Sequence, residues 1–211
     1  MSTPLTIDAD NSFLGRARYP KGKARLKAIL EATYDIVISE GLAAASQEAI
    51  ARRANVTQSA VRHYFPTKEE LLLAFFSVGV ERLKAVVDEK LAAHHDSARE
   101  KLLDIVSTHY DWINHTEDVY YFESAAFWGR NPGFRSMREA WYQKLTRHYR
   151  ELLQEIHPDW NNPACQATAF QIVTLVLGSW TTMGNTRPMY RSSSKQALKA
   201  TLMAGIDKLI T

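Results

Sequence analysis

The sequence predicts an all-α fold. Three observations carry that reading. Apolar residues recur at helical spacing through most of the 211 residues. No stretch alternates apolar and polar residues over a strand's length, and the breaks between apolar stripes fall at Gly, Pro and Asn. A chain that is 45% hydrophobic and 23% charged is not disordered in bulk. A lone cysteine, Cys165, excludes a disulfide framework and a cysteine-only zinc site. The opening MSTPLTIDADNSFLG lacks the basic start and apolar run of a secretory signal. The longest charge-free stretch, Trp160 to Thr186, is interrupted by Asn161, Asn162, Pro163, Gln166 and Gln171, so no membrane span is expected. A reducing, cytoplasmic setting is the expectation.

Taken in order, residues 1–20 mix Pro4, Asn11, Ser12, Gly15 and Pro20 and read as irregular, with 1–11 a flexible arm. From Lys21 to Glu40, Leu26, Ile29, Leu30, Thr33 and Val37 share one helical face, and Gly41 closes the helix. Ser46 can cap a short second helix, QEAIARRA. Asn55 follows at the turn, where Asn is the best substitute for Gly in the left-handed region. Thr57 can cap a third helix, QSAVRHYF, which Pro66 stops. Thr67 and Glu70 have the spacing of a capping box opening a fourth helix, whose apolar stripe runs from Leu72 to about residue 93. Further helices are expected near 97–115, 117–129, 133–156, 163–185 and 194–210. The domains implied are a head at 12–68 and a second domain at 69–211, bridged by the fourth helix.

The charge is unevenly placed. Residues 12–68 hold ten Lys or Arg against four Asp or Glu, whereas 69–211 hold sixteen against seventeen. The whole basic excess therefore lies in the head, the footprint of a polyanion partner. Within it, two short helices joined by a turn of about four residues form a helix-turn-helix, whose second helix is sized for the major groove. Its outward face would carry Gln58, Ser59, Arg62 and His63. Gln reads adenine bidentately, Arg reads guanine, and Ser serves either. Thr57 and Lys68 lie at helix N-termini, where backbone N–H groups favour phosphate. Gln47 and Tyr64, at the outer ends of the two helices, and Arg16 and Arg18 in the basic arm complete the expected contacts with double-stranded DNA.

On these residues the sequence resembles the TetR family of transcriptional regulators. The resemblance covers residues 25–76. It rests on the Gly41 helix end, Ile50-Ala51, the Ala54-Asn55-Val56 turn, His63-Tyr64-Phe65 and Lys68-Glu69-Glu70-Leu71. Asn55 stands where the family usually has Gly, and Arg62 where it usually has a DNA-contacting Tyr. Glu48 faces a region where many relatives are neutral or basic, so it is expected to read a cytosine or to point away. The resemblance implies a homodimer on a palindromic operator, most often a repressor, with a ligand-receiving second domain. An activator, or a regulator without an effector, fits the same fold. A helical enzyme or small-molecule binder that uses its head for protein contacts is the alternative from another class.

In the second domain, Trp112, Tyr121, Glu123, Trp128, Trp141 and Trp180 are the candidate ligand-binding residues, with ordinary core packing the competing reading. Their chemistry suits an aromatic, apolar or cationic effector, the last held over ring faces beside Glu123. The segments AAFWG (125–129) and LVLGSW (175–180) resemble choline-responsive members of the family. The stretch 164–184 is apolar on nearly all sides, as a helix shared between its own core and a partner would be. Phe170, Val173, Val176, Leu177, Leu202 and Ile206 are the expected dimer interface. His94 and His95 point about 100° apart on a helix, and His109 and His115 are six apart, so no metal site is expected. No phosphate loop or nucleophile elbow is present, so neither a cofactor nor an enzymatic activity is expected.

Overall fold

The computed structural model describes residues 17–115, 118–183 and 193–211. Its regular elements among these residues are all helices, with α1 Pro20–Glu40, α2 Gln47–Arg53, α3 Gln58–Tyr64, α4 Lys68–Ala92 and α5 Ala98–His115. The chain continues as α6 Asp118–Arg130, α7 Pro132–Ile156, α8 Asn162–Met183 and α9 Lys195–Leu209. The local signals in the sequence act as expected. Ser46 and Thr57 accept hydrogen bonds from the backbone N–H groups of Ala49 and Ala60, both at 3.1 Å, and so cap α2 and α3. Thr67 does the same for Glu70 N–H at 3.1 Å at the start of α4. Gly41 ends α1 at φ +84°, and its backbone N–H reaches the Val37 carbonyl at 3.1 Å.

Asn55 sits in the α2–α3 turn at φ +52°, the left-handed region that costs an ordinary L-residue about 1–2 kcal/mol. Asn55→Ala is therefore expected to lower stability by about 1 kcal/mol and Asn55→Gly to leave it nearly unchanged. Urea unfolding of the pair checks this; equal midpoints for Ala and Gly would show that the turn bears no such strain.

The chain forms two compact units. The first holds the described residues up to Arg82 together with those from Asp118 to Arg138, and the second holds Leu83 to His115 and Glu139 onward. These units follow a different division from the 68/69 boundary suggested by composition, because α6 and the start of α7 pack with the head. The reason is aromatic. Phe75 and Phe76 of α4, Tyr120 and Phe127 of α6 and Phe134 of α7 are all buried. Ring centroids within this cluster lie 4.8–5.7 Å apart, a separation at which tilted aromatic pairs attract. The Tyr120 hydroxyl donates to the Phe76 carbonyl at 3.3 Å, and burial pushes its pKa up.

In the second unit α5 packs on α8 and α9. The inward face of α8 carries Cys165, Ala169, Ile172, Val176 and Ser179, all buried. Asn114 ties α5 to α8 by donating to Ser179 Oγ at 3.1 Å. Lys199 of α9 pairs with Asp111 at 2.6 Å, and Arg99 pairs with Asp207. On α5, burial opposes the charge on Asp104, but hydrogen bonds from His95 of the α4–α5 turn and Lys90 of α4 hold its carboxyl below the usual carboxylate range.

Candidate nucleic-acid interface

The head is built to present α3. Ile50 and Ala51 of α2, Val61 of α3 and Phe65 just beyond it are buried in a core shared with Leu26, Ile29, Leu30, Ile36 and Val37 of α1. Burying Ile50, Val61 and Phe65 contributes on the order of 5–9 kcal/mol before entropy is counted, so the angle between α2 and α3 is fixed by packing. Ala51 is small enough for α3 to approach closely. Two polar clamps add to the fit. The Gln47 amide donates to the Phe65 carbonyl at 2.6 Å, tying the start of α2 to the end of α3. The Lys68 ammonium donates to the carbonyls of Leu42 and Ala43 at 3.1 and 3.3 Å, tying α4 to the α1–α2 turn. The sequence placed Gln47 and Lys68 on DNA, whereas here both polar ends hold the scaffold.

What α3 leaves outside is a polar set. Ser59, Arg62 and His63 are exposed, Gln58 is half-buried, and Thr57 is exposed while its hydroxyl caps the helix. Arg62 forms no ion pair among the described residues, while Arg53 is held by Glu40 at 2.8 Å. Tyr64 is half-buried against the core, edge-on to the His63 ring at 5.2 Å between centroids. Its hydroxyl lies 3.2 Å from the point that a Cβ on Gly22 would occupy, so Tyr64 supports α1.

A further candidate contact that sequence reasoning missed is Arg52, exposed in the last turn of α2 and without a carboxylate partner among the described residues. Its signal was available, since Arg52 and Arg53 are adjacent and point about 100° apart, so one carboxylate does not serve both. The start of α1 adds Arg18, Lys21, Lys23 and Arg25, all exposed, with no acidic residue in its first turn. Cations at a helix N-terminus oppose the dipole, and phosphate relieves that conflict. Arg16 lies outside the described residues. Glu48 is exposed in the first turn of α2.

The candidate ligand residues divide between the units. In the first, Tyr121 is half-buried. Trp128 is 39% exposed with the Arg138 guanidinium 4.8 Å above its ring, so that face already holds a cation. Glu123 turns to the α1–α2 turn, its Oε1 3.2 Å from where a Gly41 Cβ would stand, and not to a ring of aromatic faces. In the second unit Trp141 is buried, and Trp112 and Trp180 are half-buried.

The dimer set also divides. Phe170 is 66% exposed, and Val173, Leu177 and Leu202 are half-buried, but Val176 and Ile206 are fully buried within the chain and serve its own core. The sequence put all six on one surface because α8 is apolar around its circumference and α9 adds a narrower apolar stripe. The structure resolves it into an inner stripe and an outer one.

Histidines contribute no metal centre among the described residues. His109 instead lies fully buried on α5, and desolvation pushes its pKa down to about 4. The native state thus keeps His109 neutral while the unfolded chain takes up a proton near its ordinary 6.5. Its contribution to stability is complete above pH 6.5 and is lost as pH falls, reaching about 3 kcal/mol by pH 4. His109→Leu is expected to remove that part of the acid sensitivity, read as urea midpoints between pH 7 and pH 4. Parallel pH profiles for wild type and variant would show that His109 does not titrate on unfolding.

A compact helix-turn-helix, with an exposed, cationic third helix over a fixed core, defines a DNA-binding domain of the bacterial regulator type. Residues 29–75 match the family described as bacterial regulatory proteins, tetR family. Over 106 residues the chain is 31% identical to the HTH-type transcriptional regulator PksA of Bacillus subtilis, an alignment covering 48% of this chain and 51% of that one. Only about half of the PksA regulator's length is therefore spanned. It is 25% identical over 156 residues to the HTH-type transcriptional regulator BetI of Burkholderia thailandensis, covering 74% and 80%. The crystal structure of AibR in complex with isovaleryl coenzyme A and operator DNA shares the fold, with a TM-score of 0.63 at 16% identity, covering 88% of this chain and 97% of that one. Residues 29–75, the helix-turn-helix head, thus match the DNA-binding domain described for that family. The relatives named are transcriptional regulators and not enzymes. No helix among the described residues is long and apolar enough to cross a membrane.

Proposed function

We propose that this protein is a cytoplasmic transcriptional repressor that binds a palindromic operator as a homodimer and leaves it when a small molecule occupies its second unit. The observation that carries the proposal is the outer face of α3. Gln58, Ser59, Arg62 and His63 stand on a helix whose orientation is fixed by buried Val61 and Phe65 and by the Gln47–Phe65 clamp. Base edges in the major groove are the natural partners of that set, while Arg18, Lys21, Lys23, Arg25 and Arg52 supply phosphate contacts that position it.

A single recognition helix reads few bases, so a dimer with two half-sites about 34–36 Å apart supplies the specificity. The outer stripe of α8 with α9 supplies the dimer surface. Release requires an effector that prefers the dimer geometry unsuited to successive grooves. α4, a continuous helix from Lys68 to Ala92 that contributes to both units, is the proposed lever. The AibR complex, which holds both a ligand and operator DNA, supports the pairing of the two roles in this fold.

Selection from a random duplex library at 150 mM salt, followed by a mobility-shift assay on the chain's own upstream region, tests this. A two-fold symmetric motif bound by two chains is the expected result. Binding without sequence preference would leave a non-specific DNA binder in its place.

A further inference from the structure

The second unit contains buried polar atoms with no hydrogen-bonding partner in the protein, and they gather on α5 and α7. Both ring nitrogens of His109, Trp141 Nε1 and the Tyr149 hydroxyl are sealed from solvent and bonded to nothing. His109 and Tyr149 are fully buried and Trp141 is 3% exposed. Trp141, Leu145 and Tyr149 recur every four residues and share one buried face of α7. Tyr142, beside that face, links the two helices, its ring centroid 6.4 Å from that of His109, while burial first and Tyr142 second push the Tyr149 pKa up. Each such group keeps its full desolvation cost with nothing to offset it, and native interiors tolerate few. Several on one helix–helix face point to a partner that is not part of the protein.

The surroundings set the partner's charge. Among the described residues of this unit, the buried polar side chains are His109, Thr168 and Ser179, none of them ionic at neutral pH. The half-buried carboxylates nearby are already matched, Asp104 by Lys90 and His95, Asp111 by Lys199 and Asp88 by Lys144. No Lys, Arg, Asp or Glu is buried among the described residues of this unit, so an ammonium or carboxylate sealed between α5 and α7 would forfeit its hydration with no buried counter-charge to offset it. A neutral imidazole offers one donor and one acceptor, an indole one donor and a phenol either.

We propose that the α5–α7 face is the effector site, and that it takes an uncharged apolar or aromatic molecule whose hydroxyl or carbonyl is held by His109 and Tyr149, with Trp141 as a further donor. The inference rests on reading the second unit as the effector-receiving one. It replaces the cationic ligand that Glu123 suggested in the sequence.

Calorimetric titration of the full-length protein at pH 7.5 with three probes on one scaffold tests it: 2-naphthalenemethanol, 2-naphthylmethylammonium and 2-naphthoate. The alcohol is expected to bind at least tenfold more tightly than either ion. Tyr149→Phe, which deletes only the hydroxyl, and His109→Leu are each expected to weaken the alcohol at least fivefold while melting no earlier than wild type. An ion binding as tightly as the alcohol, or no binding by any probe, overturns the proposal. So does unchanged affinity in both variants, which would leave those atoms to water. Operator affinity measured alongside separates the two readings. Saturable alcohol binding that leaves operator affinity unchanged removes ligand release and keeps this site.

Discussion

Arg62→Ala is expected to weaken operator binding by about 1–3 kcal/mol, a loss of roughly 5- to 150-fold, with the fold intact. Arg62 is exposed in the last turn of α3 and contributes nothing to the head core. Its guanidinium is also unengaged within the described residues, whereas the polar ends of Arg53, Gln47 and Lys68 already hold parts of the scaffold. An exposed arginine on a recognition helix has five donors in a planar fork that matches the O6 and N7 of guanine. If Arg62 reads a base, the loss concentrates on the selected operator, and discrimination relaxes at one position of each half-site. If it reaches phosphate, binding weakens evenly across sequences and the salt slope falls by about one. Fluorescence anisotropy with the selected and a scrambled duplex, at several salt concentrations, distinguishes the two. Wild-type affinity for both duplexes would take Arg62 out of the interface.

The parts of this fold that were legible in the sequence are those set by local chemistry. Ser46, Thr57, Gly41, Asn55 and Pro66 punctuate the chain through capping, positive φ and a missing N–H, effects that act over a few residues and survive any tertiary context. The helix limits follow from them. What the sequence hid was direction. Gln47 and Lys68 have polar ends that suit a phosphate or a carbonyl equally, and only the packing of α1 against α2 and α4 brings the carbonyls of Phe65, Leu42 and Ala43 within reach. Glu123 sits in an aromatic run, but a helix turns each residue by about 100°, and its neighbours Tyr120 and Phe127 are the ones that enter the core. His109 has no ligand spacing to another histidine, which is visible in a sequence, whereas its burial against another helix is not.

The same difficulty bears on the proposed dimer surface, where the largest effect is expected. Phe170→Glu should convert the dimer to a folded monomer and lower operator affinity by about 100-fold or more, since one half-site then binds without the other. On α8, Cys165, Ala169, Ile172 and Val176 turn inward and are fully buried. Phe170, Val173, Leu177 and Gly178 lie on a different stripe, with Phe170 66% exposed. A Cβ on Gly178 would meet no atom within 4 Å, so the glycine leaves room for a second backbone to approach that stripe. Obligate homodimers bury about 2,000 Å² or more of largely apolar surface, and the outer face of α8 with the half-buried Leu198 and Leu202 of α9 is the apolar surface available. Val176→Arg would not be diagnostic, because it forces a charge into the monomer's own core and unfolds it. Phe170→Glu places the charge where the single chain leaves it hydrated, so the melting of an isolated protomer changes little while association is opposed by two buried carboxylates across the two-fold axis. Sedimentation at micromolar concentration reads the outcome directly. A Phe170→Glu variant that stays dimeric moves the interface away from α8, and a wild-type protein that sediments at 24.0 kDa ends the dimer reading altogether.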